Sequence, residues 1–355
     1  MKKFFKNLVY FLFGYFLIVQ IINFLAPYHW GNPWYSSKIQ YLESKNLVKD
    51  YNLYFFGSSR VYRQIDPVII DRELKKKGFK NINSFNLGSP ATFSPQSYFL
   101  YEKFLESDLS KNVKFAVVEL NSIDGIGSKR LHEERTYYYQ NFSDLVYVGK
   151  SLSAQETLFN RKNINIYSKY LISYVEQNVL PANFKHLWID DNFYKKSYLG
   201  KNKNGYFSLD EELSTSTDSV FKNYLRTRKR KLSLEKLQQR ENLNFKLYSD
   251  YKKIKIDEKK ANKIVLDRIN KLITLSKEKG IHLIFMISSR ASSNELKELS
   301  NFIPEPNFID MANPSESEYS FMYSLENSFD VGHLNNLGAK KYSKALADKI
   351  GQIIN

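Results

Sequence analysis

The chain contains the stretch Leu53-Tyr54-Phe55-Phe56-Gly57-Ser58-Ser59-Arg60, in which a continuous apolar run ends at a glycine and two serines. Near-continuous apolar runs of this length are typical of parallel strands that are buried on both faces of a sheet. Four similar runs lie at Ile82 to Leu87, Lys114 to Leu120, Ile281 to Ile287 and Phe308 to Met311. The pattern predicts five parallel strands, with the two serines just beyond the end of the first.

Helical segments alternate with these runs. We predict a helix from Pro67 to Lys77, capped by Asp66, because an Asp-Pro pair suits the first turn of a helix. Further helices are predicted from Ser94 to Leu105, within Asp257 to Lys279, and from Lys340 to Ile353. Alternating strands and helices indicate a doubly wound α/β fold.

The N-terminal segment is a candidate membrane anchor. Three lysines precede an uncharged run from Asn7 to Pro27, whose core from Leu8 to Leu25 is about long enough to cross a hydrocarbon layer. No small-x-small cleavage pattern follows the run, so an uncleaved anchor is favoured over a cleaved signal peptide or a buried helix. The preceding lysines predict a cytoplasmic N-terminus and an extracytoplasmic main domain.

The chain is predicted to divide into an anchor at 1–27, a juxtamembrane linker at 28–50 and a main α/β domain at 51–355. Tyr28, Trp30, Trp34 and Tyr35 suit the far membrane interface, where aromatic rings collect. Within the main domain, about 125–244 lacks a clear period and is interpreted as an insertion. Its basic run at 226–231 is interpreted as a solvated helix face, with contact to membrane phosphate or an acidic polymer as the alternative.

Composition narrows the function classes. The 355 residues include no Cys, which excludes disulfide frameworks, thiolate metal sites and a cysteine nucleophile. A formal net charge of +16 is compatible with an anionic partner. We expect no nucleic-acid partner, because no reader motif is present and the anchor would carry the folded part away from nucleic acid. We expect no cofactor.

Polar residues follow the first three predicted strands. In a doubly wound sheet, reactive groups lie just beyond the carboxyl ends of the strands. Ser59 follows the first strand, Gly88 the second and Asn121 the third. A backbone amide and an Asn side chain beside a serine would suit a tetrahedral oxyanion, although each residue alone is also typical of an ordinary turn.

The C-terminal stretch Phe329-Asp330-Val331-Gly332-His333-Leu334-Asn335 supplies a carboxylate and an imidazole. Because Gly332 allows a tight loop, Asp330 can hold one ring nitrogen of His333 while the other faces a nucleophile. A metal pair is the competing interpretation of this Asp-x-x-His spacing, but no second cluster of ligands is visible in the sequence.

The blocks Gly57-Ser58-Ser59, Asn86-Leu87-Gly88, Leu120-Asn121 and Asp330-Val331-Gly332-His333-Leu334-Asn335 occur in the order and approximate spacing of the four blocks of SGNH (GDSL-like) hydrolases. The chain resembles this family from about residue 53 to residue 354, with the insertion excluded. The resemblance implies a flavodoxin-like three-layer α/β/α fold.

The resemblance also implies roles for individual residues. Ser59 would be the nucleophile, His333 the general base and Asp330 its orienting partner. The amides of Ser59 and Gly88, together with the Asn121 side chain, would form the oxyanion hole.

Two departures from the family pattern stand out. Ser58 occupies a position where the hydrolases usually have Asp, and Glu119-Leu120-Asn121 replaces the usual Gly-x-Asn-Asp. The Gly-Ser-Ser-Arg variant with an N-terminal anchor is similar to membrane-tethered SGNH-like proteins that modify cell-envelope polymers, such as those of alginate O-acetylation and teichoic acid D-alanylation. Arg60, directly after the nucleophile, is expected to contact substrate.

The leading hypothesis is therefore a serine-dependent O-acyl esterase or O-acyltransferase that acts on acylated cell-envelope carbohydrate through an acyl-Ser59 intermediate. A transferase of this type would need an acyl donor, delivered by a partner membrane acyltransferase. The alternative is a catalytically silent accessory protein that binds envelope carbohydrate, with Tyr137, Tyr138 and Tyr139 as stacking surfaces, although tyrosines of this kind more often serve packing.

Overall fold

The computed structural model describes residues 1–121, 132–155, 160–180, 184, 196–253, 263–291 and 293–355. Its centre is a five-stranded sheet in which every neighbouring pair is parallel. The strands are β1 (Leu53–Phe56), β2 (Ser84–Asn86), β3 (Phe115–Glu119), β4 (His282–Ile287) and β5 (Phe308–Asp310). Their order across the sheet is β2-β1-β3-β4-β5. Each strand lies within a run predicted from the sequence, so the predicted α/β class with five parallel strands is confirmed.

The described residues also form helices. In chain order they are α1 (Lys2–Leu25), α2 (Pro33–Ser44), α3 (Ser59–Gln64), α4 (Pro67–Lys76), α5 (Gln96–Glu106), α6 (Glu134–Tyr137), α7 (Phe142–Gln155), α8 (Arg161–Asn178), α9 (Leu209–Thr215), α10 (Ser219–Arg230), α11 (Leu234–Lys253), α12 (Lys263–Glu278), α13 (Asn294–Ser300) and α14 (Asn336–Ile353).

Local capping explains where two of the predicted helices begin. The Asp66 side chain accepts a hydrogen bond from the Val68 amide at 3.0 Å, and this fixes the start of α4 as predicted. The Asn335 side chain accepts from the Gly338 amide at 2.9 Å, so α14 begins four residues before the predicted Lys340. The first part of the predicted 257–279 helix, up to residue 262, lies outside the described residues.

Helices cover both faces of the sheet, which gives the three layers. On one face, α3, α4 and α14 pack together over a core that includes Phe55, Val117, Ile284 and Leu346. On the other face, α5 and α12 pack together, and the Tyr101 hydroxyl lies 2.7 Å from Ser276 Oγ. Burial on both sides accounts for the continuous apolar character of the strands.

The chain forms two compact units. One comprises 1–36 and 123–195, and the other comprises 37–122 and 196–355. The sheet unit therefore includes 196–244, which the sequence analysis assigned to the insertion. The predicted linker at 28–50 contains the helix α2, in which Tyr35, Ile39 and Leu42 are fully buried. Trp30, which was predicted to suit the membrane interface, is also buried within the protein.

Helix α1 is long and apolar enough to cross a membrane. It has 24 residues, its most apolar window has a mean hydropathy of 2.1, and only 11% of that window is buried inside the protein. Its last turn ends at Ala26-Pro27, close to the predicted end of the apolar run.

Candidate active site

The turn after β1 positions Ser59. Ser58 is the N-cap of α3 and accepts a hydrogen bond from the Arg60 amide at 3.2 Å, so Ser59 becomes the first residue of the helix. Gly57 precedes them with a φ of +156°, and a Cβ there would lie 2.6 Å from the Cβ of Glu119. Only glycine fits this close approach without displacing its neighbours.

Glu119 explains one of the departures from the family pattern. This carboxylate at the end of β3 is fully buried, and its Oε2 accepts from the Ser58 amide at 2.6 Å. Its Oε1 accepts from the Ser288 hydroxyl, which follows β4. One side chain therefore connects the ends of three neighbouring strands, β1, β3 and β4.

Ser59, His333 and Asp330 meet at this edge of the sheet. Ser59 Oγ lies 2.9 Å from His333 Nε2, although the two residues are 274 positions apart in the sequence. His333 Nδ1 lies 3.0 Å from Asp330 Oδ1 and 3.3 Å from Oδ2. Ser59 and His333 are half-buried, and the His333 side chain is 15% exposed. The structure thus brings the three predicted residues into a continuous line that solvent can reach.

Backbone amides hold the carboxylate in place. Asp330 Oδ1 accepts from the Gly332 amide at 2.7 Å and from the His333 amide at 2.9 Å. Burial would raise the pKa of Asp330, but the hydrogen bond and charge of His333, the charge of Arg228 and the Gly332 amide together lower it to about 2. An ionised Asp330 that accepts from the Nδ1 proton leaves Nε2 free to accept from the Ser59 hydroxyl.

Arg228 is a further member of the site that the sequence analysis missed. Its Nη2 donates to Asp330 Oδ2 at 2.5 Å and lies 3.0 Å from His333 Nδ1. A guanidinium can only donate hydrogen bonds, and His333 Nδ1 carries a proton in the tautomer described above. Both nitrogens therefore donate to the Asp330 carboxylate, and they lie close together without a hydrogen bond between them. The sequence analysis interpreted the basic run at 226–231, which contains Arg228, as a solvated helix face. The dense positive charge of this run was the one sequence feature that indicated another role.

The electrostatic environment favours the neutral imidazole. Burial lowers the pKa of His333, and the hydrogen bond to Asp330 raises it only in part. The positive charges of Arg228 and Arg60 lower it further, so the pKa lies below its ordinary value of 6.5. A neutral His333 at physiological pH is the state that a general base requires.

Arg290 holds the loop that carries Asp330 and His333. This fully buried residue lies three positions after the end of β4 and has a φ of +55°. Its Nη1 donates to the Asp330 carbonyl at 2.9 Å, and its Nε donates to the Met322 carbonyl at 2.6 Å. Burial lowers the pKa of Arg290 to about 10. The rule that reactive groups follow strand ends also applies to β4, so it could have identified this residue from the sequence.

Gly88 lies at the end of β2, as predicted, but its polar groups already have partners. Its amide donates to Asn86 Oδ1 at 2.9 Å, and its carbonyl accepts from Lys38 Nζ at 2.5 Å. The buried ammonium of Lys38 also lies 4.0 Å above the Tyr62 ring. Burial and the charge of Arg63 lower the pKa of Lys38 well below its usual range. The sequence gave no indication of Lys38 at this position.

Asn121 and Arg60 complete the predicted set. Asn121 is buried beyond the end of β3, and its Nδ2 contacts the Glu119 carbonyl at 3.4 Å, a long hydrogen bond that an incoming oxyanion could replace. Arg60 is half-buried beside Ser59 and near enough to His333 to affect its pKa.

The other histidines that the structure describes have different partners. His29 Nδ1 lies 2.9 Å from Ser36 Oγ, His132 Nδ1 lies 2.6 Å from Glu176 Oε1, and His282 Nε2 lies 2.6 Å from the Pro306 carbonyl. His186 lies outside the described residues. Within the described ranges, no group of three or more Asp, Glu or His side chains is placed to hold a metal ion. Asp330 and His333 themselves line up with Ser59 Oγ at the distances given above.

Comparison with known proteins adds no family assignment. No protein-family model matches the chain. No curated protein matches it either. Any statement about its chemistry therefore depends on the residues and distances described above.

Replacing Arg228 tests the electrostatic account of this site. Arg228→Gln removes a positive charge that lowers the pKa of His333. We expect a fluorophosphonate to label Ser59 only while His333 is neutral, so that the labelling rate rises as the pH rises through this pKa. We expect the acid limb of the rate profile to move to higher pH in the variant.

Arg226→Gln is the matched control, because Arg226 is exposed on the same helix and carries the same charge. An acid limb that stays in place in Arg228→Gln, or that moves equally in both variants, would contradict the local effect.

Proposed function

We propose that the chain is a membrane-anchored serine O-acyl esterase or O-acyltransferase of the SGNH type. The observation that carries this proposal is the 2.9 Å contact between Ser59 Oγ and His333 Nε2, with ionised Asp330 behind the ring. A nucleophile, a base in hydrogen-bond reach of it and a group that orients the base are the combination that covalent acyl transfer requires.

The first half-reaction would transfer the acyl group to the protein. Ser59 Oγ attacks the ester carbonyl carbon as its proton passes to His333 Nε2, and the carbonyl electron pair moves onto oxygen. Collapse of this tetrahedral intermediate breaks the bond to the leaving sugar oxygen, which takes the proton from Nε2. Asp330 stabilises the transient imidazolium through Nδ1. The product is an acyl-Ser59 ester.

The second half-reaction would release the acyl group. Water or a sugar hydroxyl gives its proton to His333 Nε2 and attacks the acyl carbon, and Ser59 then leaves and recovers the proton. Water as acceptor gives an esterase, and a sugar hydroxyl gives a transferase. Both outcomes use the same residues. They differ only in whether the site excludes water or the sugar hydroxyl.

We assign the oxyanion contacts to the amides of Ser59 and Gly88 and to the Asn121 side chain. The Gly88 amide already donates to Asn86, so it would have to share its proton. Among the residues that the structure describes, the Asn121 amide group has only the 3.4 Å contact with the Glu119 carbonyl to give up, which favours Asn121 as a major donor.

The substrate class follows from the proposed location. An anchoring α1 with lysines in its first turns would hold the sheet unit on the extracytoplasmic side, where envelope glycans are exposed. Arg60 beside the nucleophile would contact the substrate. A transferase would receive its acyl group from a partner membrane acyltransferase, because acyl donors have to cross the membrane to reach this side.

The silent carbohydrate-binding alternative has less support. Tyr137, Tyr138 and Tyr139, which would have offered stacking surfaces, are each at most 5% exposed. A silent site would also gain nothing from an Asp330 that stays ionised or from a serine held against a neutral imidazole.

Removal of either reacting group should abolish acyl transfer. In Ser59→Ala and His333→Ala we expect acetyl release from acetylated sugars to fall to background, while the fold is retained because both side chains are half-buried at the sheet edge. Product analysis with and without a sugar acceptor measures release and transfer separately. Wild-type turnover in either variant would refute the triad.

Asn121→Ala tests the oxyanion assignment. The loss of one donor should slow turnover by about 10²–10³-fold, with little change in the affinity for substrate. Steady-state kinetics with an acetylated sugar provides the measurement, and circular dichroism checks the fold. A decrease of less than about tenfold would mean that Asn121 serves only the turn after β3.

A further inference from the structure

Helix α8 exposes several large apolar side chains and buries several polar ones, although Arg161, Lys162 and Asn165 near its start are also exposed. Three of its buried side chains are polar, Asn163, Ser173 and Gln177. The other two are Ile166 and Tyr170. Its exposed side includes large apolar side chains, each more than 40% exposed: Ile164, Leu171 and Ile172, and then Val179 and Leu180 directly after the helix. Surface helices of soluble proteins normally bury the apolar side.

The exposed apolar residues lie on one side of the helix. At 100° per residue, positions 164, 171, 172 and 179 fall within about 100° of one another. Arg161 and Ser168 fall on the same side nearer the start of the helix, so the apolar surface is confined to the C-terminal end, from Leu171 on. An apolar surface of this kind, with polar residues such as Ser173 and Gln177 turned towards the protein, is typical of a helix that faces lipid and packs inwards through polar contacts.

The C-terminal end of α8 is hydrogen-bonded to α1 within the same compact unit. Gln20 Nε2 donates to the Asn178 carbonyl at 2.9 Å, and Asn23 Nδ2 donates to the Gln177 carbonyl at 2.9 Å. Gln20 and Asn23 lie about 7 Å and 3 Å along α1 from its last residue, Leu25. The contacts therefore fall near the end of the candidate membrane span.

These contacts satisfy polar groups from both helices. The last carbonyls of an α-helix have no partner within the helix, and Gln20 and Asn23 are polar side chains within an apolar span. Unpaired groups of either kind are costly in hydrocarbon. The pairing satisfies the Gln20 and Asn23 amide groups and two of the last carbonyls of α8, where the end of α8 lies beside the last turns of α1.

We propose that residues 171–180, at the C-terminal end of α8, insert into the membrane leaflet beside the end of α1, with the exposed apolar side chains at the boundary between headgroups and acyl chains. The occupant of this surface is lipid, because the apolar surface is continuous with a helix suited to crossing the bilayer. The inference relies on the anchoring role of α1 in the proposed function, and it does not depend on the chemistry at Ser59.

The lack of cysteine in the chain makes a direct test practicable. Single-cysteine variants Ile172→Cys and Leu180→Cys carry an environment-sensitive NBD fluorophore, and the full chain is reconstituted in phosphatidylcholine–phosphatidylglycerol vesicles. Leu12→Cys in α1 is the control for anchoring, and Lys111→Cys in the sheet unit is the control for an exposed polar site. Quenchers on the lipid acyl chains and iodide in the buffer are compared for each label.

We expect the acyl-chain quenchers to quench the labels at 172, 180 and 12, and iodide not to reach them. The label at 111 should be quenched by iodide and not by the acyl-chain quenchers. Labels at 172 and 180 that iodide reaches, with 12 quenched by lipid, would overturn the proposal and leave the anchor intact. Labels at 172 and 180 that neither quencher reaches would mean that a second copy covers the surface, which also overturns it. If lipid fails to quench the label at 12, the anchor itself is wrong.

A second variant tests the hydrogen bonds. Gln20→Leu combined with Asn23→Leu keeps the span apolar but removes both donors, so we expect the labels at 172 and 180 to lose lipid quenching while the label at 12 keeps it. Unchanged quenching at 172 and 180 would overturn the role of the two amides. Fluorophosphonate labelling of Ser59 in the same vesicles reports separately on the proposed chemistry.

Discussion

Parallel pairing of β1, β3 and β4 is the constraint on which the site depends, because it places the carboxyl ends of three strands at one edge. The buried Glu119 carboxylate then fixes these ends to one another through Ser58 and Ser288. Such a group is costly to bury unless hydrogen-bonded, and here both oxygens are. These hydrogen bonds hold the turn that places Ser59 at the start of the short helix α3. There its hydroxyl lies within hydrogen-bond distance of His333, which is near the C-terminal end of the sequence.

The charges around Asp330 have opposing effects. Two backbone amides and Arg228 stabilise the carboxylate, which keeps it ionised and able to orient His333. The same guanidinium disfavours the imidazolium that acyl transfer would generate. The buried Arg290 also fixes this loop, because it donates hydrogen bonds to the backbone carbonyls of Met322 and Asp330. The arrangement favours a base that is neutral at rest and whose orientation is fixed before substrate arrives.

The sequence predicted the sheet because apolar runs mark its strands, and it placed Ser59 just beyond the end of the first. Asp330 and His333 follow no strand; their Asp-x-x-His spacing and the resemblance to SGNH hydrolases singled them out. The sequence could not place Arg228 or Lys38, since neither follows a strand and each reaches the site through packing between distant segments. Glu119 was noticed only as a departure from the family pattern. The segment around Tyr35 and Ile39, predicted as a juxtamembrane linker, contains a helix in which both side chains are buried. The sequence could not indicate this burial, because aromatic residues next to an apolar span suit a membrane interface and a buried helix equally well.

The proposed chemistry depends on a covalent bond at one oxygen atom. Brief exposure of the full chain to p-nitrophenyl acetate, followed by acid quenching and peptide mass spectrometry, would detect that bond directly. We predict an acetyl group on the peptide that contains Ser59, and none on that peptide in Ser59→Ala. Acetylation that is absent from this peptide, or that persists there after the substitution, would contradict the account.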